Sequence, residues 1–220
     1  MFRGGGAGDG DGWVLDGTKA WITNGGLADV HVVVAVVDPE LKSRGHASFV
    51  VPPNTPGLSQ GQKYKKHGIR ASHTAEVVLD GVRVPGSCLL GGKEKLDERL
   101  ARVREGKPGN AQAAMQTFEA TRPAVGAQAL GVARAAYEYA LDYAKERHAF
   151  GRPIIANQGI AFMLADMATE ITKGQLMAMR LGRLKDAGKA TPQHVSMAKR
   201  NNVELGLNVA RTCRDMLGAN

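Results

Sequence analysis

Only two cysteines, Cys88 and Cys213, occur in 220 residues, which excludes a disulfide framework and fits a reducing compartment. Aromatic residues make up 5% of the chain, so platforms on which bases could stack are scarce. Glycine and proline, 28 and 9 residues, fall short of a collagen-like or low-complexity composition. The longest apolar run, residues 30–37, is broken by His31 and is too short to span a bilayer. The opening MFRGGGAGDGDGW has no apolar stretch of the secretory kind. Together these absences lead us to expect a soluble protein of the cytoplasm, or of the mitochondrial matrix if eukaryotic.

What is present begins with charge. Lys and Arg number 29 against 21 Asp and Glu, a formal net charge of +8. The excess is spread along the chain and most basic residues sit among acids, whereas a nucleic-acid interface shows a dense stripe with interleaved aromatics. No nucleic-acid partner is expected. A polyanionic small ligand would suit a mild excess of this sign.

The two halves of the chain have different periods. From Trp13 to about Val84, short β-branched runs are separated by turn residues. The dipeptides Asp16-Gly17 and Asp80-Gly81 predict tight turns, the first a hairpin, because glycine accepts positive φ. Asp38-Pro39, Pro52-Pro53 and Pro56-Gly57 punctuate the rest. No helical pattern long enough for a crossover intervenes, so the sheet should be antiparallel, as a barrel or sandwich. From about Phe118 the apolar period becomes three and four. A first helix carries Val125, Ala129, Val132 or Ala133, Ala136, Ala140 and Tyr143 on its buried side and runs to about His148. A second, from about Gln158 to Ala187, is expected to bury Phe162, Ala165, Met167, Ile171, Leu176, Met179 and Leu184. Gly188 ends it, and Thr191-Pro192 supplies an N-cap and first-turn proline for a third, reaching about Leu217. The fold class is therefore α+β in several domains: an antiparallel β domain over residues 1–90, a charged insertion or linker over 91–113, and an up-down helical bundle over 114–220 in which three long helices are present and a fourth is missing. Within the insertion, Leu96, Leu100 and Val103 recur at helical spacing, which predicts a short, exposed amphipathic helix.

Metal binding is not expected. None of His31, His46, His67, His73, His148 and His194 pairs at HxxH or HxxxH spacing, and scattered surface histidines account for them. GDGDGW at 8–13 lacks the acid a calcium loop needs, since position 20 is Ala20. GGGAG at 4–8 is not followed by a helical pattern, so it is no phosphate cradle, and no GxSxG element occurs. Two segments carry more. In AWITNGG at 20–26, Trp21 and Thr23 alternate on a strand just before a turn; they form either a core aromatic with a turn threonine or a cover for a flat heterocycle. In ERHAFGRP at 146–153, Arg147 and Arg152 flank an aromatic at a helix end, where arginine either caps carbonyls or forks onto a pyrophosphate.

AWITNGG, FEATRP at 118–123, ERHAFGRPI at 146–154 and NQGIAFMLADM at 157–167, taken in order, resemble the acyl-CoA dehydrogenase family over nearly the whole chain apart from the charged insertion. The resemblance implies a middle β domain followed by a C-terminal bundle, FAD as cofactor, an acyl-CoA substrate, a homotetramer, and electron-transfer flavoprotein as the electron acceptor. It places Trp21, Ile22 and Thr23 against the flavin ring. It places Arg147, His148, Ala149 and Phe150, with Asn157 and Gln158, on the FAD pyrophosphate and adenosine of a neighbouring subunit; Ala149 departs from the polar residue usual there. Glu119, Thr121 and Arg122 fall where the family lines the acyl-CoA site. The chemistry implied is α,β-dehydrogenation, in which a glutamate removes the α-proton and a hydride leaves the β-carbon for the flavin. The usual base falls past Asn220, and Thr121, at the alternative position, cannot serve. The family's upstream acidic flavin segment has no match before Asp11. The expectations are thus an incomplete acyl-CoA dehydrogenase or, as the alternative, a non-catalytic fragment that associates with full-length relatives through its bundle face.

Overall fold

The computed structural model describes residues 3–5, 12–107 and 113–219. The glycine-rich stretch 6–11 and the linker residues 108–112 lie outside the described residues. The chain divides into two compact units, residues 1–112 and 113–220, each considered by itself.

In the first unit the described strands are β1 (Arg3–Gly5), β2 (Gly12–Thr23), β3 (His31–Val36), β4 (His46–Val51), β5 (Leu58–Lys63) and β6 (Thr74–Pro85). They form a six-stranded sheet in the order β4-β3-β1-β2-β6-β5. Every pairing is antiparallel except a single parallel contact of Arg3 with Val36. Alternation in β4 buries Ala47, Phe49 and Val51 on one face, where they meet Leu15, Leu79 and Val82. Trp13 tilts against Phe49 with ring centroids 5.2 Å apart.

The Asp16-Gly17 hairpin does not form. Both Asp-Gly pairs lie inside continuous strands and face one another across β2 and β6, where the register shifts between Leu15 and Gly17. The Gly81 amide donates to Asp16 Oδ1 at 2.6 Å, so a carboxylate takes over where the backbone ladder is interrupted. Gly17 and Gly81 hold φ of 138° and 59°, as a bulge asks of glycine.

Part of the charged insertion packs on the sheet. Its helix α1 (Lys93–Arg104) buries Leu96 and Val103, and Leu96 joins the sheet's core. Arg99 donates to the carbonyls of Arg44 and His46. Arg104 pairs at 2.6 Å with Asp38, whose buried carboxylate also accepts from the Glu40 amide. The density of charge reads as solvation in the sequence, yet two of the arginines are spent holding the β3–β4 connection.

The second unit contains α2 (Ala113–Glu146), α3 (Gln158–Asp186) and α4 (Pro192–Leu217), with a small hairpin, β7 (His148–Ala149) and β8 (Arg152–Pro153), between the first two helices. Gly188 leaves α3 at φ 65°. Thr191 caps α4 in a reciprocal box with His194: its hydroxyl accepts from the His194 amide, and its own amide donates to His194 Nδ1 at 3.1 Å. The core joins Leu130, Ala133 and Ala140 of α2 to Leu164, Met167 and Ile171 of α3 and to Leu205, Val209 and Cys213 of α4. Two glycines let these helices approach: a Cβ on Gly206 would stand 2.9 Å from the Ala129 carbonyl oxygen, and one on Gly174 would stand 2.7 Å from Leu130 Cδ2. Between them Asn202, 1% exposed, donates through Nδ2 to the Gly174 carbonyl at 3.3 Å.

The helix faces differ from expectation. Val125 and Val132 of α2, and Phe162, Leu176 and Met179 of α3, are exposed. These helices are apolar on more than one side, and the neighbours in the unit cover only one. On α2 the exposed residues Phe118, Val125, Val132 and Tyr139 stand one heptad apart, making a continuous apolar seam.

Candidate functional site

Glu76 organises the first group of site residues. The register of β2 against β6 slips between Lys19 and Ile22, so Ala20 and Trp21 together oppose Glu76. On the other side of β6 the register against β5 slips between Gln60 and Lys63, so Gly61 and Gln62 oppose the same residue. The double slip throws Trp21 out of the pleat with φ of 60°, a conformation bulky side chains rarely hold and that strained functional positions favour. Trp21 is 67% exposed and lies flat on Tyr64, with ring centroids 3.7 Å apart and planes 20° from parallel. Tyr64 is fixed in turn: its hydroxyl donates to Glu76 Oε1 at 2.9 Å, while the Gln62 amide donates to Oε2 at 3.1 Å. Desolvation, reinforced by the Glu76 carboxylate, raises the Tyr64 pKa above that of an ordinary tyrosine. Ile22 is half-buried opposite Ala75, and Thr23 is exposed opposite Thr74.

The turn that follows is held by two histidines. The Gly26 amide donates to Nε2 of the buried His31 at 3.3 Å, and His73 Nε2 donates to the Gly25 carbonyl at 3.0 Å. These rings, with His194 at the α4 cap, correct the reading of the histidines as scattered surface residues. Tyr64 and Glu76 escaped sequence reasoning altogether, because only the sheet register brings them to Trp21. Replacing Glu76 with alanine is expected to bring the Tyr64 pKa partway down toward the ordinary value. The difference in phenolate absorbance between that variant and Tyr64→Phe, followed through alkaline pH, checks this; an unchanged titration would mean that Glu76 does not set the pair.

The second group lies in the helical unit. Arg147 and His148 leave α2 into the β7–β8 hairpin, whose two-residue loop, Phe150 and Gly151, has φ of 53° and 79°. Positive φ at both positions is the turn that suits the twist of a two-residue hairpin. Phe150 at its tip is 99% exposed, while Ala149 is half-buried. The Arg152 guanidinium donates to Asn157 Oδ1 at 2.8 Å, and Asn157 Nδ2 donates to the Ile154 carbonyl at 3.1 Å. That chain of bonds ties the hairpin to the start of α3, where Gln158 is exposed. Arg147 is exposed and pairs with no acid among the described residues. Glu119, Thr121 and Arg122 lie in α2 beside Pro123, which leaves the Glu119 carbonyl without its helical donor. The Thr121 hydroxyl bonds back to the carbonyls of Thr117 and Phe118 at 3.1 and 3.3 Å. Among the described residues no three His, Cys, Asp or Glu side chains converge to hold a metal, and no helix is long and apolar enough to cross a membrane.

Family comparison divides the chain in the same way. Residues 6–82 match the acyl-CoA dehydrogenase middle domain and residues 111–220 match the acyl-CoA dehydrogenase C-terminal domain. The chain belongs to the acyl-CoA dehydrogenase family. The intervening residues, α1 among them, lie outside both matches. The mitochondrial short-chain specific acyl-CoA dehydrogenase of Bos taurus is 40% identical over 211 residues, which are 96% of this chain and 48% of that protein. Among solved structures, glutaryl-CoA dehydrogenase from Mycobacterium smegmatis superposes with a TM-score of 0.83 at 42% identity, covering 100% of this chain and 51% of that one. A glutaryl-CoA dehydrogenase from the same organism in complex with FADH2 gives a TM-score of 0.78 at 39% identity, over 96% of this chain and 50% of that one. The chain thus spans about half the length of the acyl-CoA dehydrogenases it matches, and it carries the middle and C-terminal folds of an oxidoreductase family.

Proposed function

We propose that this chain takes part in FAD-dependent α,β-dehydrogenation of an acyl-CoA thioester, with electrons leaving to an electron-transfer flavoprotein. The observation that carries the reading is Trp21: a strained, exposed aromatic backed on one face by Tyr64 and open to a planar ligand. A flat ring system fits such a shelf, and the complex of the M. smegmatis relative with FADH2 supports FAD as its occupant. Trp21, Ile22 and Thr23 would meet the flavin, which supplies a hydride acceptor when bound. Arg147, His148, Ala149, Phe150, Asn157 and Gln158 would serve its diphosphate and adenosine; Arg147, exposed and without an acid partner among the described residues, offers a guanidinium fork for that purpose. Glu119, Thr121 and Arg122 would line the acyl-CoA site. Thr121 does not act as base, since a neutral hydroxyl is too weak a base where a carboxylate is needed, and the proton-abstracting glutamate is not assigned to a residue of this chain. In the working enzyme the chain would be part of a homotetramer.

The test is FAD retention. The purified chain is mixed with FAD, desalted and examined by visible absorption. A retained flavin band with quenched tryptophan fluorescence is the expected result, and a colourless protein would overturn the reading in favour of a second one. In that second reading the chain binds a longer relative without turning over substrate, which the apolar seam of Phe118, Val125, Val132 and Tyr139 favours. Co-elution with a full-length acyl-CoA dehydrogenase would then be seen on sizing chromatography.

A further inference from the structure

The spread of positive charge along the sequence conceals one concentration in space. Residues 63–73, KYKKHGIRASH, hold four Lys or Arg and no acid. Lys63, Tyr64, Lys65, Lys66, Arg70 and Ser72 line a concave pocket of about 330 Å³, at the small end of the range for small-molecule sites. Part of the pocket is rigidly built. Lys66 Nζ donates to the Ser72 carbonyl at 2.8 Å and to Thr74 Oγ1 at 2.7 Å, and Arg70 Nε donates to the Lys66 carbonyl at 3.0 Å. Among the described residues none of the four cations has a carboxylate partner. Glu76, bonded to the pocket residue Tyr64, is also engaged by the Gln62 amide. Between the lysines and the arginine, Ile69 sits at φ 51° with an exposed side chain. A β-branched residue in that region is a genuine outlier, and such strain gathers at ligand clamps.

Four like charges lining one pocket repel one another, and a bound polyanion removes that repulsion. The pocket is concave and compact, which suits a phosphoryl group better than the face of an acidic protein. Arginine offers a fork to phosphate oxygens and lysine a point charge. We infer that this pocket binds the phosphoryl groups of a nucleotide-type ligand. The pocket adjoins the Trp21 shelf through Tyr64, which lines the one and backs the other, but its four cations are none of the residues assigned to flavin or acyl-CoA above, and the inference does not rest on the dehydrogenase reading.

Titration calorimetry on the full chain tests it, with three probes: inorganic pyrophosphate, adenosine 3′,5′-bisphosphate as the coenzyme A fragment, and ADP as the fragment of a flavin dinucleotide. At low salt the wild-type chain should bind pyrophosphate, and the tighter of the two nucleotides identifies the source of the phosphates. The variant Lys63→Gln/Lys65→Gln/Arg70→Gln, which leaves the internally bonded Lys66 in place, should bind about tenfold more weakly or worse. Its circular dichroism should match the wild type; should that variant fail to fold, the single Lys65→Gln change, which alters an exposed side chain, carries the test with a smaller but measurable loss. Absence of binding to all three probes would overturn the inference and leave an acidic macromolecule as the partner of this patch. Equal affinity of wild type and variant would overturn it as well.

Discussion

Replacing Trp21 with alanine should weaken FAD retention about tenfold or more, with little change in the folding of the sheet around it. The size follows from the side chain: an indole contributes roughly 150–250 Å² of surface and an aromatic contact energy of about 1 kcal/mol beyond that area, and tenfold in affinity corresponds to about 1.4 kcal/mol. Stability should move little because Trp21 is mostly exposed and sits at a positive φ that costs the folded chain about 1–2 kcal/mol. Alanine keeps that cost and loses only the Tyr64 stack. Desalting with FAD, followed by a flavin-to-protein absorbance ratio, measures the first effect, and a thermal melt measures the second. A variant that holds FAD as well as wild type would remove Trp21 from the flavin site.

The largest effect on stability is expected at Gly206. A Cβ there would stand 2.9 Å from the Ala129 carbonyl oxygen, a backbone atom on the facing helix that has no rotamer to yield. Overpacking of this sort costs about 1–3 kcal/mol. Gly206→Ala recovers about 1 kcal/mol of helix propensity and should be mildly destabilised. Gly206→Leu has the same conflict with a much larger side chain and should lose about 3 kcal/mol or more, roughly 10–20 °C in the midpoint of a unit this size. Gly182 of α3 is the contrast, since a Cβ there meets nothing within 4 Å; Gly182→Ala should raise the midpoint by the propensity gain. Far-ultraviolet circular dichroism melts of the three variants check the order, and an unperturbed Gly206→Leu would mean that α2 and α4 are not in close contact.

The bundle was legible wherever a single residue type dictates a local event. Gly188, Thr191 and Pro192 mark the end of one helix and the start of the next because easy left-handed backbone, a capping oxygen and a missing amide are intrinsic to those residue types. The inward faces were not legible. Val132 and Ala133 are adjacent and both apolar, and only packing decides that Ala133 is buried while Val132 is exposed. Asp16-Gly17 shows the same limit in the sheet: the dipeptide permits a positive φ, but whether that makes a hairpin or a bulge depends on the strand opposite, where Gly81 provides the amide that Asp16 accepts. Among the candidate site residues, Trp21 and Arg147 could be picked out because their chemistry is conspicuous. Tyr64, Glu76, His31 and His73 could not, since each acts through a partner distant in sequence.

The hairpin at the end of α2 also bears on what it costs to bind anything at its tip. Its loop backbone is set by Phe150 and Gly151 at positive φ, by the two-strand pairing, and by the Arg152–Asn157 bond behind it. An aromatic ring presented from a loop already in its final shape loses only side-chain rotamers on contact, whereas a flexible loop would also forfeit about 1–2 kcal/mol of backbone entropy for each residue it orders. Any surface that receives Phe150 therefore meets a preorganised anchor, and its affinity is governed by how well its own pocket fits one ring.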